Sequence, residues 1–373
     1  MPFPARLPPP ATAAAATAAA VLAAVALRRY LSSRSRAATA ASAHSTSGAP
    51  AATTFLVLSG KSPQDQQLLA SAAGELSLAE DGGGELAVSL ALDASGDAGF
   101  DAAAYMGALQ ARRFGRWMLW SPRMASTHDL VTQNFAKLPV GVVCVTDVQF
   151  KGRGRSKNVW ESPPGCLMFS FTSQMNDARK LPLMQYVVCL AMTEAIKDLC
   201  CAKGLPELDV RIKWPNDLYL KGLKVGGILC ISSYEPKVYN ICTGIGLNVD
   251  NEKPTTCLNA ALQELKANSP RLKREDILAS FFNKFEVLFD IFSNQGFQAL
   301  EEQYYNSWLH SGQRVVVQDA DESQSVNSVV TIKGLTPSGY LYAVGEDGKS
   351  YELHPDGNSF DFFTGLVRRK MDA

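Results

Sequence analysis

Apolar residues in the middle of the chain form short runs that are separated by turn residues. Val140–Val145 and Cys166–Phe171 are largely apolar and bounded by turns, which is typical of strands buried on both faces. Asp209–Trp214, Gly227–Ile231 and Val238–Thr243 predict three further strands.

Two other stretches repeat apolar residues at helical spacing. Pro182 suits the first turn of one predicted helix, which stops near Gly204. The apolar positions are Met184, Val187, Val188, Ala191, Met192, Ala195 and Leu199 in the first helix, and Ile277, Phe281, Phe285, Leu288, Phe289 and Phe292 in the second. Strands and helices in this order predict an α+β or α/β domain in which helices cover a central mixed β-sheet.

After Trp308 the pattern changes to short strands with tight turns. The predicted strands are Gln313–Val317, Val329–Lys333, Tyr340–Val344 and Ser350–Leu353. Closely spaced short strands indicate a small β-barrel of about 55–60 residues. The expected fold class is therefore α+β, with a mixed-sheet domain at residues 111–307 and a small C-terminal SH3-like β-barrel at residues 308–373.

Residues 1–53 have the composition of an organelle transit peptide. No Asp or Glu precedes Asp65, and arginines are spread through a segment rich in Ala, Ser and Thr. Import into a plastid or mitochondrion is favoured over a signal peptide or membrane anchor, because the apolar stretch is mostly Ala and the basic residues follow it. A disordered Ala-rich tail is the remaining alternative. Residues 54–110, with a predicted strand at Phe55–Leu58, form an N-terminal extension of unassigned role.

Charge and cysteine usage exclude several classes of protein. Lys and Arg together number 36, as do Asp and Glu, whereas a general nucleic-acid binder normally carries a basic excess. The cysteines form no CxxC pair and the histidines share no metal-ligand spacing, which indicates buried reduced thiols and no zinc site. Neither a nucleic acid nor a membrane is expected as a partner.

The segment Gly152-Arg-Gly-Arg-Ser-Lys-Asn158 is the first candidate for binding chemistry. Glycines let the backbone turn its N–H groups toward an anion, and Arg153 and Arg155 can add charge-assisted bonds to a phosphate or carboxylate. Trp160, two residues beyond, can stack on a flat base. Taken alone, the same residues could form an ordinary solvated basic loop.

Three later elements offer further cationic and backbone contacts. Lys213-Trp-Pro-Asn-Asp217 places a lysine at a predicted strand end, where it can pair with a carboxylate and a phosphate together. Lys224-Val-Gly-Gly-Ile228 adds a second lysine, and Gly244-Ile-Gly-Leu-Asn248 adds two glycines and an amide. Taken singly, Lys213 could be a surface lysine before a turn.

In combination, these elements resemble the signatures of the biotin–protein ligase (holocarboxylase synthetase) family. The family's GRGR…W, KWPND, KxxGIL and GxGxN motifs occur in this order, each at or beside a predicted strand end. Upstream, Ser126-Thr-His128 and Gln149 occupy the places of a Ser-Thr-Asn element and a biotin-contacting glutamine, with His128 where the family has Asn. The resemblance spans roughly Gly115–Arg369 and, with the leader, is greatest to a plant organellar member.

The resemblance implies that ATP activates biotin as biotinyl-5′-AMP, with Mg²⁺, and that biotin then passes to a lysine in the biotin carboxyl carrier domain of a carboxylase such as acetyl-CoA carboxylase. The residues that would bind biotin are Ser126, Thr127, Gln149, Arg153, Gly154, Arg155 and Lys213. Those that would bind ATP or the adenylate are Trp160, Lys213, Asn216, Lys224, Asn248 and Arg368. Lys213, Arg153 and Arg155 would be catalytic, and no protein ligand to a metal is assigned. The enzyme would act in the chloroplast stroma, with the mitochondrion, or the cytosol for a shorter product, as alternatives.

Three other functions are compatible with parts of the sequence. A lipoate–protein ligase or octanoyl transferase would share the fold, but the GRGR and KWPND elements favour biotin. A P-loop enzyme is rejected because Phe55 and Ala343 stand where glycines are required before Gly60-Lys-Ser62 and Gly348-Lys-Ser350. A biotin-responsive DNA-binding repressor is disfavoured because no helix-turn-helix pattern is visible.

Overall fold

The computed structural model describes residues 54–80, 84–89, 99–154, 159–251, 255–321, 324–355, 358–361 and 366–369. The predicted transit peptide at residues 1–53 lies outside the described residues, as does Arg155 of the glycine–arginine loop.

One large mixed sheet dominates the described part of the chain. Its strands are β1 Thr54–Gly60, β2 Ala79–Glu80, β3 Gly84–Ser89, β4 Trp117–Met124, β5 Val143–Arg153, β6 Val159–Ser162, β7 Cys166–Met175, β8 Val210–Lys213, β9 Asp217–Leu220, β10 Leu223–Glu235 and β11 Val238–Asn248. Their order is β2-β3-β1-β4-β5-β7-β11-β10-β9-β8, and β6 pairs with β5. The β1–β3 and β4–β5 pairs are parallel, so the sheet is mixed as predicted.

Helices cover this sheet on both faces. They are α1 Pro63–Ala73, α2 Ala102–Ala108, α3 Thr127–Gln133, α4 Met184–Ala202, α5 Leu258–Leu265, α6 Arg274–Gln295 and α7 Glu301–Ser307. The two long helices, α4 and α6, are the two that the sequence predicts. Pro182 lies in the 3₁₀ turn Ala178–Leu183 that precedes α4 rather than in the first turn of the α-helix itself.

A cluster of aromatic rings joins α6 to the centre of the sheet. Phe281, Phe282 and Phe285 of α6 make edge-on contacts with Phe169 or Phe171 of β7. Pairs in this geometry contribute about 0.5–1.5 kcal/mol each beyond the area they bury. The alternation along β7 points these rings toward α6, so the residues between them face α3 on the other side.

The C-terminal part forms a second, smaller sheet. Its strands are β12 Arg314–Asp321, β13 Gln324–Leu335, β14 Leu341–Gly345, β15 Ser350–Leu353, β16 Asn358–Asp361 and β17 Leu366–Arg369. Their order is β15-β14-β13-β12-β17-β16, with β12 and β17 parallel. The α+β class with a small C-terminal β-unit is therefore confirmed.

The N-terminal extension contributes strands to the large sheet. β1 pairs with β4 in antiparallel fashion, and it pairs with β3 in parallel on its other side. Strands on both sides of residue 110 thus belong to one sheet, while the division of the chain into the four predicted domains stays a prediction. None of the helices in the described residues is both long and apolar enough to cross a membrane.

Candidate active site

Several of the predicted site residues lie on the sheet face that α3 covers. Gly244 of β11 lies opposite Ser170 of β7 in the register. The hydroxyls of Thr127 and Ser170 are 2.9 Å apart, and a Cβ added to Gly244 would lie 3.1 Å from Cδ2 of His128. The first turn of α3 therefore rests directly on the central strands.

Three of the predicted biotin-binding residues form one buried polar group. The N–H of Thr127 donates to Oε1 of Gln149 at 2.9 Å, and the Thr127 hydroxyl lies 3.3 Å from the same oxygen. Ser126 caps α3 by accepting from the N–H of Asp129 at 3.2 Å. Because a buried amide, hydroxyl and backbone turn are fixed relative to one another, they form a rigid set of donors and acceptors.

The glycine–arginine loop leaves the end of β5 beside this group. Gly152 pairs with Trp160 across the β5–β6 hairpin, and Gly154 follows within the described residues. Nε of Arg153 lies 3.1 Å from Oδ2 of Asp129, in the first turn of α3. Sequence reasoning missed Asp129, because an acidic residue in a first helical turn is common for stability alone.

Trp160 occupies a cradle made by two glycines. A Cβ at Gly246 would lie 2.5 Å from Cε2 of the indole, and one at Gly227 would lie 3.1 Å from its Cζ3. Nζ of Lys224 is 5.3 Å from the indole ring. From the sequence, the glycines of Gly244–Asn248 were expected to leave space for a ligand near the backbone. At Gly246 the indole of Trp160 fills that space instead.

Lys213 lies at the end of β8, and β9 separates this strand from the two that form the cradle. It pairs with Asp217 of β9, and its ammonium is 5.6 Å from the ring of Tyr219. Oδ1 of Asp217 lies 2.7 Å from Nζ of Lys224, and 3.5 Å from the position of a Cβ on Gly227. We call this group, formed by Lys213, Asp217, Lys224 and Trp160, the cationic cluster.

The other residues predicted to contact ATP are Asn216, Asn248 and Arg368. The amide of Asn216 donates to the carbonyl of Ile228, and the N–H of Ile228 donates to the carbonyl of Asn216 at 2.9 Å. Nδ2 of Asn248 donates to the carbonyl of Thr256 at 3.0 Å. Arg368 is described only through its backbone, which lies in β17 and pairs with Ser359 of β16. Contacts of these residues with a nucleotide stay predictions.

His128 stands where the resembled family has Asn. The side chain is buried, and its Nε2 makes no hydrogen bond to the described residues. Burial lowers the pKa of His128, against the opposing field of Asp129. The imidazole beside Gly244 is thus favoured in its neutral form.

His310 is a fully buried residue that no sequence motif indicated. The backbone N–H of Trp214 donates to Nε2 of His310 at 2.9 Å, and Nδ1 lies 2.9 Å from Oε1 of Gln313. Burial lowers the pKa of His310 to about 4, with the nearby charge of Lys213 acting in the same direction and the Gln313 hydrogen bond opposing them.

This pKa predicts that stability falls as the pH falls from 6.5 to about 4. In that range the unfolded chain takes up a proton at His310 and the folded chain does not, so the free energy of unfolding decreases toward acid pH. The expected loss is roughly 2–3 kcal/mol. Denaturant unfolding of the wild type and of His310→Gln at a series of pH values measures it. Identical pH slopes for the two proteins would contradict the assignment.

Comparisons with known proteins match two parts of this chain to family models. The model of the Biotin/lipoate A/B protein ligase family matches residues 120–248, and that of the Biotin protein ligase C terminal domain matches residues 310–365. Biotin–protein ligase 1, chloroplastic, of Arabidopsis thaliana is 58% identical over 325 residues, 86% of this chain and 89% of that protein.

Two more distant proteins extend the comparison. Biotin–protein ligase of Homo sapiens is 31% identical over 282 residues, which cover 73% of this chain and 38% of that protein. The solved structure of biotin protein ligase from Aquifex aeolicus in complex with biotin and ATP matches with a TM-score of 0.48 and 22% identity, covering 68% of this chain and 99% of that one. The extent of the match to the plant relative settles the family, and this chain belongs to the biotin–protein ligases.

Proposed function

We propose that this chain is an ATP-dependent ligase that forms biotinyl-5′-AMP and then joins biotin to a lysine in the carrier domain of a carboxylase. The observation that carries the proposal is that Gly152 lies against both groups. A Cβ on Gly152 would lie 2.5 Å from the carbonyl oxygen of Trp160, in the cationic cluster, and 2.6 Å from Nε2 of Gln149, in the buried polar group. The buried polar group suits an uncharged ring with amide donors and acceptors. The cationic cluster suits a phosphate beside a flat base.

The first step is an attack of one anion on another. An oxygen of the biotin carboxylate bonds to the α-phosphorus of ATP, and the bond to pyrophosphate breaks. Lys213 and Arg153 offset the repulsion and stabilise the charge that builds on the phosphoryl oxygens. Trp160, fixed against Gly246, stacks on adenine and sets the position of the α-phosphate.

The second step forms a carbon–nitrogen bond. The amine of the target lysine attacks the carbonyl of the mixed anhydride, AMP leaves, and the amine loses its proton. Because the anhydride is labile in water, we propose that the described end of the glycine–arginine loop, Gly152–Gly154, helps to shield the intermediate.

Mg²⁺ is proposed to enter with ATP. Among the described residues, no group of three His, Cys, Asp or Glu side chains is placed to hold a metal ion. Mg²⁺ is commonly bound through the phosphates of its nucleotide with few protein ligands, and it would neutralise phosphate charge there. No step is assigned to the ion through residues of this chain.

The decisive experiment supplies labelled biotin, ATP, Mg²⁺ and a carboxylase carrier domain, followed by mass measurement of the carrier. We expect a gain of one biotinyl group, and none on a carrier whose target lysine is replaced by arginine. A reaction with lipoate in place of biotin would instead support the lipoate-ligase alternative, and no transfer of either group would overturn the proposal.

We also propose import into the chloroplast, on the basis of the acid-free leader and of the chloroplastic relative. Deleting residues 1–53 is expected to leave the rate of biotin transfer unchanged, because β1 begins at Thr54 and the described site uses no earlier residue. Steady-state transfer rates of the full-length and shortened proteins measure this. A shortened protein that folds, as judged by circular dichroism, but has lost activity would show that the leader is more than a targeting segment.

A further inference from the structure

The segment that leads into the C-terminal sheet runs alongside β8. Trp308 forms a parallel bridge with Ile212, and the N–H of Leu309 donates to the carbonyl of Ile212 at 2.9 Å. The next contact along the same segment is the bond from the N–H of Trp214 to Nε2 of His310. The backbone is therefore held on both sides of Lys213: at Ile212 by the N–H of Leu309, and at Trp214 by the side chain of His310.

The side chain of Trp214 is held from a third direction. Its indole N–H donates to the hydroxyl of Tyr186 on α4 at 2.9 Å, and it lies 3.2 Å from the carbonyl of Gly339 in the C-terminal unit. The hydroxyl of Tyr186 donates to the same carbonyl. The residue that follows Lys213 is thus fixed both to a core helix and to the C-terminal unit.

The hydrogen bonds determine which form of His310 is present. A backbone N–H can only donate, so Nε2 of His310 must accept and carries no proton. The proton of the neutral ring is then on Nδ1, which donates to Oε1 of Gln313. A second proton would put two donors face to face at Trp214, and the complete burial of the ring favours the neutral form that avoids this.

We infer that His310 is a positioning residue for Lys213: by accepting the Trp214 N–H, it fixes the backbone from which the lysine reaches the biotin carboxylate and the α-phosphate. The inference rests on the proposed function. A lysine side chain has a flexible stem, so the accuracy of its ammonium depends on how rigidly its backbone is held. The segment that leads into the C-terminal sheet thereby takes part in adenylate formation.

Two substitutions separate positioning from simple stabilisation. His310→Gln reaches about as far as Nε2 and can still accept from Trp214. His310→Asn ends near the position of Nδ1, so it keeps a donor for Gln313 and leaves the Trp214 N–H without an acceptor. We expect kcat for biotin-dependent ATP–pyrophosphate exchange to fall about 100-fold in His310→Asn, with less change in KM, since small misplacements of reacting groups have effects of this size. His310→Gln should remain within a few-fold of the wild type.

A control variant removes a different contact of the C-terminal unit. The hydroxyl of Tyr305 accepts from the N–H of Leu335 at 2.9 Å, and Tyr305→Phe removes this bond without touching Trp214. We expect Tyr305→Phe to lower Tm and keep kcat. An equal loss of kcat in Tyr305→Phe and His310→Asn would overturn the inference, because the effect would then belong to the whole unit.

A milder variant covers the case in which His310→Asn does not fold. Gln313→Leu removes the partner of Nδ1 and should lower kcat several-fold. An unchanged kcat in folded Gln313→Leu overturns the inference. These outcomes are distinct from failure of the proposed function. If the wild type transfers no biotin to the carrier domain, the proposed function is wrong. If the wild type transfers biotin and His310→Asn has the same kcat, only the positioning role is refuted.

Discussion

Replacement of Lys213 by alanine is expected to abolish formation of biotinyl-5′-AMP while leaving the fold intact. The ammonium of Lys213 is the cation placed at the end of β8, beside Tyr219 and the Asp217–Lys224 pair. Loss of one such group at a site of developing charge costs roughly 10²–10³-fold in rate, and more where two anions must meet. The pairing of residue 213 with Asp217 uses the backbone and survives the change.

Biotin-dependent ATP–pyrophosphate exchange measures this effect directly. Lys197→Ala is a suitable control, because Lys197 makes an ion pair with Glu207 at 3.6 Å in which both side chains are more than half exposed. Such pairs contribute about 0–1 kcal/mol, so the control should behave as the wild type. Near-normal exchange by Lys213→Ala would refute the assignment of the site.

Substitution of Gly246 by alanine is expected to weaken nucleotide binding by a factor of about 5 to 100. The new methyl group would lie 2.5 Å from Cε2 of Trp160, closer than nonbonded carbon atoms approach, so the indole must move. Overpacking of this kind costs about 1–3 kcal/mol, and about 1.4 kcal/mol corresponds to a factor of ten in affinity. The ring that stacks on adenine would then be misplaced.

Calorimetric titration with ATP in the absence of biotin, so that no adenylate forms, tests this expectation. Gly107→Ala provides the control, because no atom outside its own helix lies within 4 Å of a Cβ at that position. An unchanged ATP affinity in Gly246→Ala would show that Trp160 is not the adenine platform.

The sequence predicted the central strands because their apolar runs are continuous, and it missed β4 for the opposite reason. Ser121, Pro122 and Arg123 interrupt the apolar pattern of β4, although this strand lies between β1 and β5. Its place in the sheet depends on pairing with residues about 60 positions earlier in the chain, as at Val57 and Trp120, which no local pattern records.

The candidate site likewise contains residues that the sequence identified and contacts that only the fold reveals. Residues such as Thr127 and Gln149 were identified from the resemblance to the family's motifs, and the structure brings them together. The contact between Trp214 and His310 joins residues 96 positions apart, so only the fold reveals it. For Asn216 and Asn248, the motif gave the position but not the contacts, because an amide binds a backbone group as readily as a ligand.

The pairing of β1 with β4 limits where a second translation start could lie. The first methionine after Met1 is Met106, and a product that began there would lack β1 and β3. The edge of β4 that β1 covers would then present unpaired N–H and C=O groups to solvent, a surface that favours aggregation. A chain that begins at Met106 would therefore be expected to aggregate more readily than one that retains β1.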